Sequence, residues 1–112
     1  MKNRKKIPEI YFLQAEFCKT IAQPKRLMIL ESLSKEAKTI SQLSLELYFS
    51  QPNVSQHVKT LYEKGILEKL RKGNEVYYKL KYPEILEASK IVRDVMMKIY
   101  SEKGKILGVK EF

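Results

Sequence analysis

The sequence predicts a mostly helical domain carrying one small β-hairpin, and three observations predict it. Two short segments, 39–47 and 51–64, hold apolar residues at helical spacing and are separated by Tyr48-Phe49-Ser50. After Gly65, two strand-like runs, 66–71 and 75–80, flank Lys72-Gly73-Asn74. Residues 83–103 then read as a long helix with apolar groups seven apart. At 112 residues the chain is long enough for one domain with a modest core.

Composition narrows the function. At 44% hydrophobic and 31% charged, this is a soluble globular protein and not a disordered chain. Lys plus Arg number 22 against 13 Asp plus Glu, a net charge of +9, with a pI near 9.6. That excess favours a polyanionic partner, nucleic acid first and an anionic membrane surface second. The bland alternative is a basic protein with no polyanion to meet. No apolar run approaches the ~20 residues of a membrane span. Residues 1–6 resemble a signal n-region, but Glu9, Gln14, Glu16 and Lys19 interrupt the stretch where an apolar h-region would lie. An intracellular, cytoplasmic protein without a membrane partner is therefore expected. The single cysteine, Cys18, excludes an intrachain disulfide and a Cys-rich zinc site. There is no Gly-rich phosphate loop, metal cluster, or Cys–His or Ser–His–Asp arrangement with a supporting motif. Neither an enzyme nor a cofactor is expected.

Each element along the chain has its own signal. Residues 1–7 form a basic arm with Lys2, Arg4, Lys5 and Lys6, which either touches DNA backbone or frays without function. The domain proper spans 8–103. Its first helix, 8–21, places Ile10, Leu13, Phe17 and Ile21 on an inward stripe, with Tyr11, Phe12 and Cys18 off that line. Apolar groups around so much of one helix suggest two buried sides, one of them a subunit contact; core packing alone is the alternative. Gln23-Pro24 opens the second helix, whose buried stripe is Leu27, Leu30 and Leu33 with Ile29 beside it. Residues 34–38 are a polar connector. Thr39-Ile40-Ser41-Gln42 fits a capping box, with Ile40, Leu43 and Leu47 inward in the third helix.

The fourth helix has two unlike faces. Ser50 suits the N-cap, Pro52 falls in the first turn, and Val54, Val58 and Leu61 form one apolar stripe. Gln56 and Lys59 point roughly the opposite way, with Asn53, His57 and Thr60 on a flank. Such a face is dressed to read base edges, although a merely solvated helix looks similar. Two short helices joined by a tight turn form a helix-turn-helix, whose second helix lies in the major groove. Gly65 ends that helix. In the hairpin, Ile66, Leu70, Val76, Tyr78 and Leu80 are expected inward, and Lys69, Arg71, Lys72, Tyr77 and Lys79 outward. A basic ribbon after a helix-turn-helix is a wing, suited to holding phosphates. In the last helix, Ile85, Ala88, Val92, Val95 and Ile99 make an a/d-like seam best buried against a second copy. Residues 104–112 are a tail in which Ile106, Leu107, Val109 and Phe112 have the means to dock.

Four ordered motifs carry a family resemblance over about residues 15–100. Residues 21–30, with Ala22, Pro24, Arg26 and Leu27, resemble an "A-x-P-x-R-L-x-I-L" entry to the second helix. Residues 47–61 resemble an "L-S-Q-x-x-V-S-x-H-L-x-x-L" reading helix. Residues 64–67 and 73–80 resemble its "x-G-L-V" and "G-x-x-V-Y-Y-x-L" wing. The family is that of the ArsR/SmtB-type winged-helix repressors. The resemblance implies a homodimeric transcriptional regulator of five helices, with the wing ahead of the fifth and a dimer built from the first and last helices. Leu13 and Phe17 with Ile85, Ala88, Val92, Val95 and Ile99 then form the interface. Two departures stand out. The place of the family's Cys-x-Cys metal site reads Thr39-Ile40-Ser41-Gln42, and the last helix has Asp94 but no histidine, so metal sensing at either familiar site is unsupported. Tyr48 also stands where the family often has glycine, which is strained if that position needs a positive φ.

The expected partner is thus double-stranded DNA, bound by a homodimer. Gln51, Asn53, Gln56, His57 and Thr60 are the candidates for base edges, and Ser50, Ser55, Lys59, Lys69, Arg71, Lys72 and Lys79 for phosphates. Nothing marks a pocket for a small-molecule or metal effector. Cys18 is expected as a small buried hydrophobe, the sharper alternative being an intersubunit disulfide. The main competing function is a largely non-specific architectural DNA binder; a winged helix that binds protein is a further option.

Overall fold

The computed structural model describes residues 6–104 and 108; most of the basic arm and, in the tail, Ile106, Leu107, Val109 and Phe112 lie outside them. The element order is α1 (Glu9–Ile21), α2 (Pro24–Ser32), α3 (Ile40–Leu47), α4 (Gln51–Glu63), β1 (Leu67–Lys72), β2 (Glu75–Leu80) and α5 (Glu84–Glu102). The chain resolves into two compact units, residues 1–82 and 83–112. Among the described residues, no helix is long and apolar enough to cross a membrane.

Within the first unit, local chemistry sets the helix ends. The Gln23 side chain accepts the Arg26 N–H at 3.1 Å, and Pro24 takes a first-turn position that needs no donor. Both halves of the capping box at α3 are present: Thr39 Oγ1 accepts the Gln42 N–H at 3.1 Å, and the Gln42 side chain accepts the Thr39 N–H at 2.9 Å. Helix α4 ends in paired bonds, Gly65 N–H to the Tyr62 carbonyl and Ile66 N–H to the Leu61 carbonyl, with Gly65 at φ 81. That is a Schellman stop, and the buried Ile66 is its apolar clasp.

The core gathers Ile29 and Leu30 of α2, Leu43 of α3, Val54, Val58 and Leu61 of α4, and Ile66 and Leu67. Helix α4 packs on α2, α3 and β1 and so sits at the centre of the unit. Ile29 is more deeply buried than Leu27, reversing the order expected for α2. Lys38, on the connector into α3, ties that helix to α2: its ammonium and Ser32 both bond the Glu46 carboxylate, which holds Glu46 below the usual carboxylate range.

Three expectations need correction. First, α1 buries only Thr20; Ile10, Leu13 and Phe17 are exposed, and Cys18 is exposed and not buried. Helical periodicity marked that face for cover without saying that a single chain lacks the cover. Second, the hairpin pairs Leu67 with Leu80, Lys69 with Tyr78, and Leu70 with Tyr77. Leu67 therefore takes the inward position and Leu70 the outward one, and Lys69 shares the face of Tyr78. Ile66 donates its N–H to the helix stop and accepts the Lys81 N–H at 3.0 Å, and the paired register starts at Leu67, which moves the alternation by one residue. Third, the connector is not merely polar: Lys38 and Tyr78 exchange both backbone bonds, at 3.0 and 2.8 Å, and so add a short bridge to the hairpin.

Candidate nucleic-acid interface

The reading helix is held from three sides. Its apolar stripe, Val54, Val58 and Leu61, is wholly buried, which fixes its rotation about its own axis. Ser50 Oγ accepts the Asn53 N–H at 3.3 Å, and Gln51 Nε2 donates to Ser41 Oγ at 3.1 Å, which anchors its start to that of α3. The turn between them places Tyr48 at φ 60, ψ 37, the left-handed conformation that the tyrosine was expected to find strained. The Tyr48 side chain is 92% exposed, so the backbone adopts this conformation with the ring free of the core. Ser44 Oγ donates to the Phe49 carbonyl across the same turn.

The third hold is Arg26. Its Nε donates to His57 Nδ1 at 3.1 Å while a terminal nitrogen donates to the Thr20 carbonyl at 2.9 Å. An arginine cannot accept, so Nδ1 must, and the neutral ring carries its proton on Nε2. Burial first, then the Arg26 and Lys25 cations, hold the imidazole below its ordinary value. His57 is thus a largely buried strut between α4 and α2, with Nδ1 committed to Arg26 and not free for a base edge. The expected outward position ignored Arg26, which is remote in sequence, although the spacing holds a clue: His57 lies three residues after Val54 and four before Leu61, on the buried side.

Outward, α4 presents Gln51, Ser55, Gln56 and Lys59, all exposed. Thr60 is half-buried and bonds its hydroxyl to the Gln56 carbonyl at 3.1 Å. Asn53 is half-buried, and its buried amide oxygen has no partner among the described residues. A bidentate pair with adenine needs both arms of an amide, so Gln56 offers it, Gln51 offers it once its amide nitrogen leaves Ser41 Oγ, and Asn53, in this conformation, does not.

On the hairpin, Gly73 at φ 61 makes the reversal, and Arg71 and Lys72 stand exposed at the tip, Lys72 with its ammonium 5.3 Å from the Tyr77 ring centre. Lys69 lies 4.3 Å from the ring centre of Tyr62 and 6.0 Å from that of Tyr78. Lys79 is paired with Glu68 at 3.2 Å and is the least available of the four cations.

This chain of helices, with a two-stranded hairpin after the reading helix, has counterparts of known structure. A crystal structure of Rv0081 from Mycobacterium tuberculosis superposes with a TM-score of 0.78 at 30% identity, covering 88% of this chain and 100% of that one. In sequence, that protein, an uncharacterized HTH-type transcriptional regulator, is 32% identical over 99 residues, 88% of this chain and 87% of the relative. The sequence pattern of the family described as bacterial regulatory protein, arsR family, matches residues 23–69. The chain belongs to the ArsR family. Other similar proteins include NolR of Sinorhizobium fredii, whose crystal structure superposes with a TM-score of 0.70 at 25% identity over 82% of this chain and 96% of that one. A biofilm growth-associated repressor of Agrobacterium fabrum is 34% identical over 62 residues, 55% of this chain and 53% of the relative. As an ArsR-family protein, this one is a DNA-binding transcriptional regulator, and double-stranded DNA is the partner that the family implies. Among the described residues, no group of three or more His, Cys, Asp or Glu side chains is placed to hold a metal ion.

Proposed function

We propose that the protein is a sequence-specific repressor that binds duplex DNA as a homodimer. The observation that carries this reading is the division of α4: one side is wholly buried, and the other presents Gln51, Gln56, Ser55 and Lys59 to solvent. Gln51 and Gln56, with Thr60 and Asn53 at the flank, read base edges. Ser50, Ser55, Lys59, Lys69, Arg71 and Lys72 hold phosphates, and Lys79 joins them if it leaves Glu68. Dimerisation is supported by the apolar groups left open on two helices, Leu13 and Phe17 on α1 and Val92, Val95 and Ile99 on α5, with Ala88 and half-buried Ile85 on the same seam. Cys18, exposed on α1, is then open to pairing with its counterpart; a band at monomer mass on a non-reducing gel rejects that crosslink. Repression is supported by the Agrobacterium fabrum relative named as a repressor. The comparisons lend no support to an architectural role.

The test is competition. A duplex selected from random DNA is held by the protein while random-sequence competitor is added. A specific regulator prefers the selected site by about 10³ or more. Equal affinity for both duplexes overturns the proposal in favour of a non-specific binder.

A further inference from the structure

Between α4 and the hairpin lies a cleft of about 280 Å³. Its walls include Ser55, Lys59 and Tyr62 of α4, Lys69 of β1 and Tyr78 of β2, and the one carboxylate on them is Glu63. Two lysines and one glutamate line it, a net positive charge that suits an anion. Among the described residues, neither Lys59 nor Lys69 is ion-paired, in contrast to Lys79.

Lys69 is held in place by aromatic rings. Its ammonium sits over Tyr62, and Tyr78 meets Tyr62 edge-on, with ring centres 6.4 Å apart at 79°. Tyr78 is itself fixed by its two backbone bonds to Lys38. A lysine on a free stem loses rotamer freedom when it meets a ligand; one already resting on a ring loses less. The cleft also shares Ser55 and Lys59 with the exposed side of α4, where Ser55 is next to Gln56. A DNA strand whose bases met Gln56 would bring its backbone to this opening.

We propose that Tyr62 and Tyr78 are positioning residues that hold Lys69 for a phosphodiester of the DNA strand seated between α4 and the hairpin. This rests on α4 being the helix that reads DNA and adds to it the residues that preorganise one backbone contact.

A double-mutant cycle on a random-sequence duplex tests it, with affinity followed between about 50 and 200 mM salt. Lys69→Ala lowers the salt slope by about one. Tyr62→Leu weakens binding about two- to fivefold, the size of an exposed cation–π contact, while Tyr62→Phe retains affinity. In the Lys69→Ala background, Tyr62→Leu has no further effect. Ring-current shifts give a readout independent of DNA: in the free protein the Lys69 ε-protons resonate upfield, and Tyr62→Leu removes the shift. Equal losses from Tyr62→Leu with and without Lys69, an unchanged slope in Lys69→Ala, or unshifted ε-protons overturn the proposal. If the wild-type chain binds the duplex but the cycle shows no coupling, only this inference fails. If it ignores duplex DNA altogether, the reading of α4 fails with it.

Discussion

Helices α4 and α5 carry the same kind of sequence signal and meet opposite fates in the single chain. Val54, Val58 and Leu61 of α4 are 0% exposed, whereas Val92, Val95 and Ile99 of α5 are 68%, 51% and 45% exposed. Periodic apolar spacing states that a face is to be covered; it does not state by what. For α4 the cover is α2, α3 and β1 of its own chain, and the polar side stays exposed, where the proposed function puts DNA. For α5 the open seam is what a partner subunit would cover. One helix is covered by folding, and the other leaves its seam open in the single chain.

The largest expected effect lies on the covered side. Leu61→Ala leaves a cavity in the core and lowers unfolding free energy by ~2–5 kcal/mol, measured by denaturant titration. Because the contact is within one chain, the loss is independent of protein concentration. A concentration-dependent loss would erase the contrast with α5. On the open seam, Val92→Glu keeps the helical signal in circular dichroism but buries a charge in the proposed interface. Sedimentation then shows dimer dissociation shifted by at least about a hundredfold. Unchanged association would place the interface elsewhere.

The strut behind α4 sharpens the comparison further. His57 is held neutral in the fold, so its folded value lies below the unfolded one of about 6.5. The stability it contributes is complete above that pH. As pH falls below about 6.5, the unfolded chain takes up the proton first, and stability is lost down to the folded value. Thermal melting across this window checks the sign, and His57→Gln flattens the response. Arg26→Met removes the donor to His57 Nδ1 and is expected to cost ~1–3 kcal/mol. Effects at the DNA surface fall on binding and leave stability unchanged. Gln56→Ala relaxes preference at one base pair by about 1–3 kcal/mol. Lys72→Ala weakens all sequences alike and lowers the salt slope by about one. Equal losses on every sequence for both variants would break the division between reading and holding.

Where structure is set by neighbours in sequence, it was legible. The Thr39–Gln42 box, the Gly65 stop and Pro24 all depend on residues a few positions apart, whereas the positive φ at Tyr48 was open in the sequence, because a differently built turn fits the same residues. The buried stripe of α4 and the exposed Gln56 and Lys59 were readable from one period. The errors arose where a distant residue decided the outcome. The burial of His57 depends on Arg26, which is remote in sequence, and the bridge at the connector depends on Tyr78 pairing with Lys38. Leu67 and Leu70 were exchanged because the strand begins one residue later than its apolar run. The aromatic seat of Lys69 was missed because Tyr62 and Tyr78 lie on different elements and meet only in the fold.

Footprinting on a selected duplex tests the central claim most directly. Two α4 helices presented by a symmetric pair protect two major-groove segments on one side of the duplex, roughly 34–36 Å apart, and Gln56→Ala alters protection at matching positions in both. A single protected segment, or a diffuse pattern that Gln56→Ala leaves unchanged, would contradict the account.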